Sequence, residues 1–173
     1  MRELPTGRLN KRVKSVWRLS GVIKTVVWGA LCFGAALGAA AVFRDELNGA
    51  DGAFLSGGAQ VLLTIAGVVT ALIFIISVII TPVIRYARWR YAVLEDEIDI
   101  YRGIIVRKRI IVPLIRVQYT DTTQGPLLRA FGLASVKVYT AAGAQDIEGL
   151  AVDDAEQLRD KVAVLAKQVQ EDV

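Results

Sequence analysis

Residues 25–43, TVVWGALCFGAALGAAAVF, carry no charged side chain, and residues 60–84, QVLLTIAGVVTALIFIISVIITPVI, carry none either. About 20 residues at 1.5 Å each cross a hydrocarbon layer roughly 30 Å thick, so both stretches are long enough to span a bilayer. A surface helix of a soluble protein keeps one polar face; these two are apolar all round. A cleaved signal peptide is the rival reading of the first, because LGAAA offers small residues near its end. That stretch is longer than a signal core of about 7–15 residues, lies well inside the chain and is followed by a second span. The pattern predicts a transmembrane hairpin over 25–84 with a short external loop at 44–59.

The flanks set the orientation. Lys11, Arg12, Lys14, Arg18 and Lys24 precede the first span, Arg85, Arg88 and Arg90 follow the second, and Arg44, Asp45, Glu46 and Asp51 lie between them. Lysine and arginine collect on the cytoplasmic side of short flanks, so both termini are expected in the cytoplasm. In TPVIRYARWRY, residues 81–91, those arginines alternate with Tyr86, Trp89 and Tyr91. Cations beside amphipathic rings read as a membrane-interface girdle. Pro82 is expected to kink the last turn of the helix. The basic segment 1–24 sets Leu9, Val13, Val16 and Trp17 near one helical face. It is either a helix lying along an anionic inner leaflet or a plain topology signal.

Within the first span Ala30, Gly34 and Gly38 recur every fourth residue. They are either a helix-packing stripe that lets another helix approach closely or the ordinary small-residue content of an alanine-rich span. Thr64, Thr70, Ser77 and Thr81 either bond across helices or back-bond to their own carbonyls. Neither span carries a charge in its middle, which argues against an ion path made by this chain alone. Two helices have little interior of their own, so partners in the membrane are expected: other membrane proteins, copies of the chain itself, or both.

After Arg90 the pattern shifts to valine, isoleucine and tyrosine between turn residues, which predicts strands near 91–94, 98–101, 104–112, 117–123, 135–140 and 145–150. Turns are expected at Glu95-Asp96-Glu97, Arg102-Gly103 and Ala142-Gly143-Ala144. Such close spacing favours antiparallel hairpins. A final helix is capped by Asp153 or Asp154 and gathers Leu158, Val162, Leu165, Ala166 and Val169 on one face. Residues 85–173 are therefore expected to form an α+β cytoplasmic domain, a curled antiparallel sheet or barrel closed by the C-terminal helix.

Composition narrows the chemistry. With no histidine the 173-residue chain lacks the side chain most used for proton transfer near neutral pH, and its lone cysteine, Cys32, makes neither an intrachain disulfide nor a thiolate cluster. No nucleophile elbow, phosphate-binding glycine loop or calcium-loop spacing is present, so no catalytic, cofactor-binding or metal residue is assigned, no cofactor is expected, and an enzyme is disfavoured. The net charge of +4 sits at the membrane flanks, which disfavours nucleic acid.

The runs RYAVLEDEIDIYRGIIVRKRIIVPLIRVQ and QGPLLRAFGLASVKVYTAAG resemble the bacterial pleckstrin-homology-like, membrane-flanked domain family, particularly its small YdbS-like members with two preceding membrane helices. The likeness rests on Tyr91 with Leu94, Gly103, Arg107, Pro113, Arg116 and Gln118, residues 124–132, and Thr140 to Gly143. It implies a pleckstrin-homology-like fold in the bacterial inner membrane, no known enzymatic activity, a larger related partner carrying several such domains, and in some systems a link to bacteriocin export or immunity. Arg102, Arg107, Lys108 and Arg109 are the candidate grip on lipid headgroups or an acidic partner; the plainer reading is solvated strand residues that discourage edge pairing. Three roles follow as expectations: a scaffold subunit, a membrane-tethered sensor of anionic lipid or peptide, and an accessory subunit of a transporter.

Overall fold

The computed structural model describes residues 5–42 and 58–171. Two compact units divide the chain, one of Trp17–Thr81 and one of Met1–Val16 with Pro82–Val173. Hydropathy alone put these boundaries at 25 and 85. Most of the loop read at 44–59, with its four charges, lies outside the described residues.

The helical unit is built from α1 (Val13–Val42), from Trp17 onward, and α2 (Gly58–Phe74) continued by a π-helical segment, Ile75–Ile80. Two stretches, Val13–Ala39 and Gln60–Arg88, are long and apolar enough to cross a membrane, and only 11% and 6% of their most apolar windows are buried within the protein. Core helices of a soluble fold bury their apolar face; these leave it outward, as lipid-facing helices do. Their mutual contact is made by small residues. A Cβ on Gly21 would stand 2.8 Å from the Ser77 carbonyl oxygen, and one on Gly29 3.1 Å from the Thr70 methyl. Between them the Thr25 and Ser77 hydroxyls lie 3.2 Å apart. Thr64, Thr70 and Ser77 also back-bond to Gln60, Ala66 and Ile73, so of the alternatives read from sequence Ser77 takes both. The Thr81 N–H donates to Ile76, five residues back. Pro82 has no N–H and its ring crowds the carbonyl four residues earlier. The wider π ladder lies just upstream of Pro82, and α-helix resumes over Thr81–Arg88.

The second unit contains α3 (Thr81–Arg88) from Pro82 onward, then β1 (Arg90–Val93), β2 (Glu97–Arg102) and β3 (Lys108–Pro113). A 3-10 turn, Leu114–Arg116, leads into β4 (Val117–Thr123), α4 (Pro126–Ala130), β5 (Leu133–Thr140), β6 (Gly143–Ala151) and α5 (Val152–Glu171). The strands form two antiparallel three-stranded sheets, β1-β2-β3 and β4-β5-β6, where a curled antiparallel sheet or barrel was expected. Period-2 alternation puts Ile98 and Ile100 of β2, Val136 and Val138 of β5 and Ile147 of β6 in the core, all fully buried, together with Ala155 and Val162 of α5.

Three local readings change. The third strand begins at Lys108, not Ile104, because Gly103 has φ +131° and a Cβ there would collide with the Val106 carbonyl; residues 103–107 are a turn. Helix α4 was not foreseen; Pro126 starts it, where a missing N–H costs no hydrogen bond. Asp153 and Asp154 occupy the first turn of α5 instead of its cap, since α5 follows β6 directly at Val152. There the two acids complement the positive helix end.

The N-terminal segment is part of this unit. Gly7 and Tyr91 exchange backbone hydrogen bonds of 2.9 and 3.1 Å, and the Asn10 N–H donates to the Gly149 carbonyl at 2.9 Å. Leu9, Val13 and Val16, read as one face of a segment that is either an interfacial helix or a plain topology signal, are at most 5% exposed. Residues 8–10 precede the helix, which starts at Val13. Gly149, at φ +70°, is needed where it stands, for a side chain would strike Val13.

Candidate functional site

The residues singled out from sequence fall in three places. In the first, Arg85 to Tyr91, the girdle side chains are engaged inside their own unit. The Arg85 guanidinium donates to the Glu148 carboxylate at 2.9 Å. The Trp89 indole is 3% exposed, with the guanidinium carbons of Arg85 and Arg102 each 5.6 Å from its ring centre. Tyr86 donates its hydroxyl proton to the Leu9 carbonyl at 3.3 Å, and the Lys14 ammonium lies 4.5 Å from its ring centre. Burial, and secondarily the charge of Asp154, raises the Tyr91 phenol above its ordinary value. Trp89 is therefore core, a correction to its reading as an interfacial ring: cation–π contacts and burial draw it into the domain. Arg90 donates to the Trp89 carbonyl and Arg88 to the Ile104 carbonyl.

The second place is the basic run on the β2–β3 hairpin, which the structure does not present as one cluster. Arg109 makes a forked ion pair with Asp99, its Nε and Nη2 donating at distances from 2.5 to 3.1 Å. The register pairs Asp99 with Ile111 and Tyr101 with Arg109, so the two are diagonal neighbours on one sheet face. Asp99 is 4% exposed. The Asp99 hydrogen bond is also the main cause raising the Arg109 pKa. Arg102 donates to the Gln145 amide oxygen at 3.3 Å. Arg107 and Lys108 stand exposed, directly after Ile105 and Val106, which are exposed as well. The partner of Arg109 was present in EDEID, but its role needs the register to be known.

The third place is α1. Among the described residues nothing lies within 4 Å of a Cβ built on Gly34 or Gly38, and Ala30 is exposed. The chain's own hairpin instead uses Gly21, Thr25 and Gly29, buried at the same four-residue spacing. That stripe was missed because it straddles Lys24, which marked the flank of the span.

One further surface emerges. A groove of about 470 Å³ runs beside β3, lined by Ile111, Pro113, Arg116, Thr140, Ala142 and Gln145 among others; β3 is the outer strand of its sheet. No group of three histidine, cysteine, aspartate or glutamate side chains is placed to hold a metal ion among the described residues.

Residues 54–166, from the second span through most of α5, match the bacterial PH domain family. The chain belongs to that family. It is 38% identical over 173 residues, the whole of both chains, to the UPF0699 transmembrane protein YdbS of Bacillus subtilis (strain 168). It is also 26% identical over 100 residues to the UPF0699 transmembrane protein YdbT of the same organism, covering 56% of this chain and 20% of that one. No solved structure matches. Two transmembrane helices followed by a PH-like domain of two antiparallel sheets and a C-terminal helix is thus the architecture of this bacterial PH domain protein.

Proposed function

We propose that the chain is a non-catalytic subunit of a bacterial inner-membrane assembly, with both termini cytoplasmic, whose helices bind other membrane proteins. One observation carries this reading: the Ala30-Gly34-Gly38 stripe is open while a second stripe of the same spacing already serves the chain's own hairpin. A smooth stripe permits the close helix contact on which association in lipid depends. Partial similarity to a much longer transmembrane relative supports a larger related chain as the partner, and a second copy is the other. The family and its relatives point away from catalysis.

The test is gentle extraction from native membranes, with the masses of the particle and of its components measured. Among the described residues nothing lies within 4 Å of a Cβ at Gly34 or Gly38, so replacing both with leucine is expected to keep the hairpin and lose the partner. A particle of unchanged composition would remove the stripe from the interface.

A second reading is favoured by the groove beside β3. An extended peptide laid along an outer strand gains main-chain hydrogen bonds there and places alternate side chains in the groove, which would make the domain a tethered peptide sensor.

A further inference from the structure

Ile105 is 93% exposed and Val106 69%, two branched aliphatic side chains side by side at the tip of a hairpin, with Arg107 and Lys108 exposed after them. An apolar pair held in water contributes nothing to the core and is unfavourable unless something covers it. The path of the chain says what does.

The uncharged run of the second span ends at Ile84, and Arg88 follows one helical turn later, about 6 Å along the axis. Its guanidinium holds the Ile104 carbonyl at the base of the turn. Arg90, the first residue of β1, pairs with Tyr101 near the end of β2. The antiparallel order therefore brings the β2–β3 turn back beside Arg88, where α3 ends and β1 begins. The β1–β2 turn lies at the other end of β2, about 20 Å away for six residues of strand. Charge divides the same way: Arg88, Arg90, Arg107 and Lys108 at the near end, Glu95, Asp96 and Glu97 at the far one.

We propose that Ile105 and Val106 insert into the boundary layer of the bilayer that the chain's own helices cross, with Arg107 and Lys108 on anionic lipid headgroups. Aliphatic side chains at a loop tip leave water for the acyl boundary, and basic neighbours are drawn to an anionic surface within a Debye length. The covalent tether keeps the tip at high local concentration, so two aliphatic side chains suffice. Arg109 takes no part, being held by Asp99. The inference rests on the membrane location and is independent of any protein partner.

The experiment uses the full chain in nanodiscs, with the lone Cys32 replaced by serine and a polarity-sensitive fluorophore placed at Ile105→Cys or, as control, at Glu95→Cys. In discs of phosphatidylcholine with phosphatidylglycerol, the label at 105 shifts to the blue, loses quenching by iodide and gains quenching by nitroxides on the acyl chains. The label at 95 does none of these. The effect at 105 weakens in discs of phosphatidylcholine alone and when Arg107→Gln and Lys108→Gln are combined. A label at 105 that reports water in both kinds of disc overturns the proposal and leaves the tip as a protein contact. Equal shielding in neutral and anionic discs overturns the anionic selectivity.

Discussion

Helix α1 carries two stripes of small residues at the same four-residue spacing, and they have different fates. Gly21, Thr25 and Gly29 are buried against the second span, whereas Ala30 is exposed and no described residue lies within 4 Å of a Cβ on Gly34 or Gly38. The same contrast recurs in the basic run of the domain, where Arg109 is forked onto Asp99 and Arg107 and Lys108, close by in sequence, are exposed. Residue type and spacing thus say that a contact is chemically available. Which of two equivalent sets is used within the chain depends on what the rest of the fold places opposite.

The largest effect is expected at the closed stripe. A leucine at Gly21 would drive its Cβ into the Ser77 backbone, and overpacking of this kind costs about 3 kcal/mol. Cysteines at Thr25 and Ser77, in a chain whose Cys32 is serine, report the hairpin as an oxidative crosslink read by mass spectrometry. Crosslinking should collapse with Gly21→Leu and persist with Gly34→Leu; a loss with both would erase the distinction between the stripes.

A smaller effect separates Arg109, which is ion-paired, from Arg107. Asp99→Ala removes the carboxylate onto which the Arg109 guanidinium is forked and should lower the unfolding midpoint of the domain by a small, measurable amount, because water reaches the arginine. Arg107→Gln should leave the unfolding midpoint of the same preparation unchanged. Equal shifts in the two variants would mean that the ion pair adds nothing.

The smallest effect concerns Tyr91, whose phenol is raised chiefly by burial. A raised folded pKa favours the neutral form, so this contribution is complete below the unfolded value near 10 and is lost as pH climbs through the folded one. Thermal unfolding of the wild type should therefore weaken more steeply in alkali than that of Tyr91→Phe, with the two alike at neutral pH. Parallel curves would place Tyr91 in water.

Much of the architecture was legible beforehand because long-range context hardly enters it. A charge-free run of about 20 residues has few fates other than a membrane, and the alternation of Ile98, Ile100, Val136 and Val138 marks buried strand faces. The resemblance in residues 90–143 named the family correctly. The site was less legible. Trp89 read as an interfacial ring because tryptophan beside arginine is common there, yet the same pair makes a cation–π stack in a core. Leu9 and Val13 read as one face of a segment that either lies on the membrane or only signals topology, because nothing in their own segment reveals Gly149, which lies more than a hundred residues on.

By itself the sequence determined that two helices cross a membrane and that a strand-rich domain with a terminal helix follows, since hydropathy over 20 residues and period-2 alternation act locally along the chain. Only the tertiary structure decided that the N-terminal segment belongs to that domain and that the strands divide into two sheets. It also decided that Arg109 is spoken for while Ile105 and Val106 are exposed. These outcomes depend on register and on glycine-permitted turns, which bring together residues far apart in the chain and leave no periodic trace in the sequence between them.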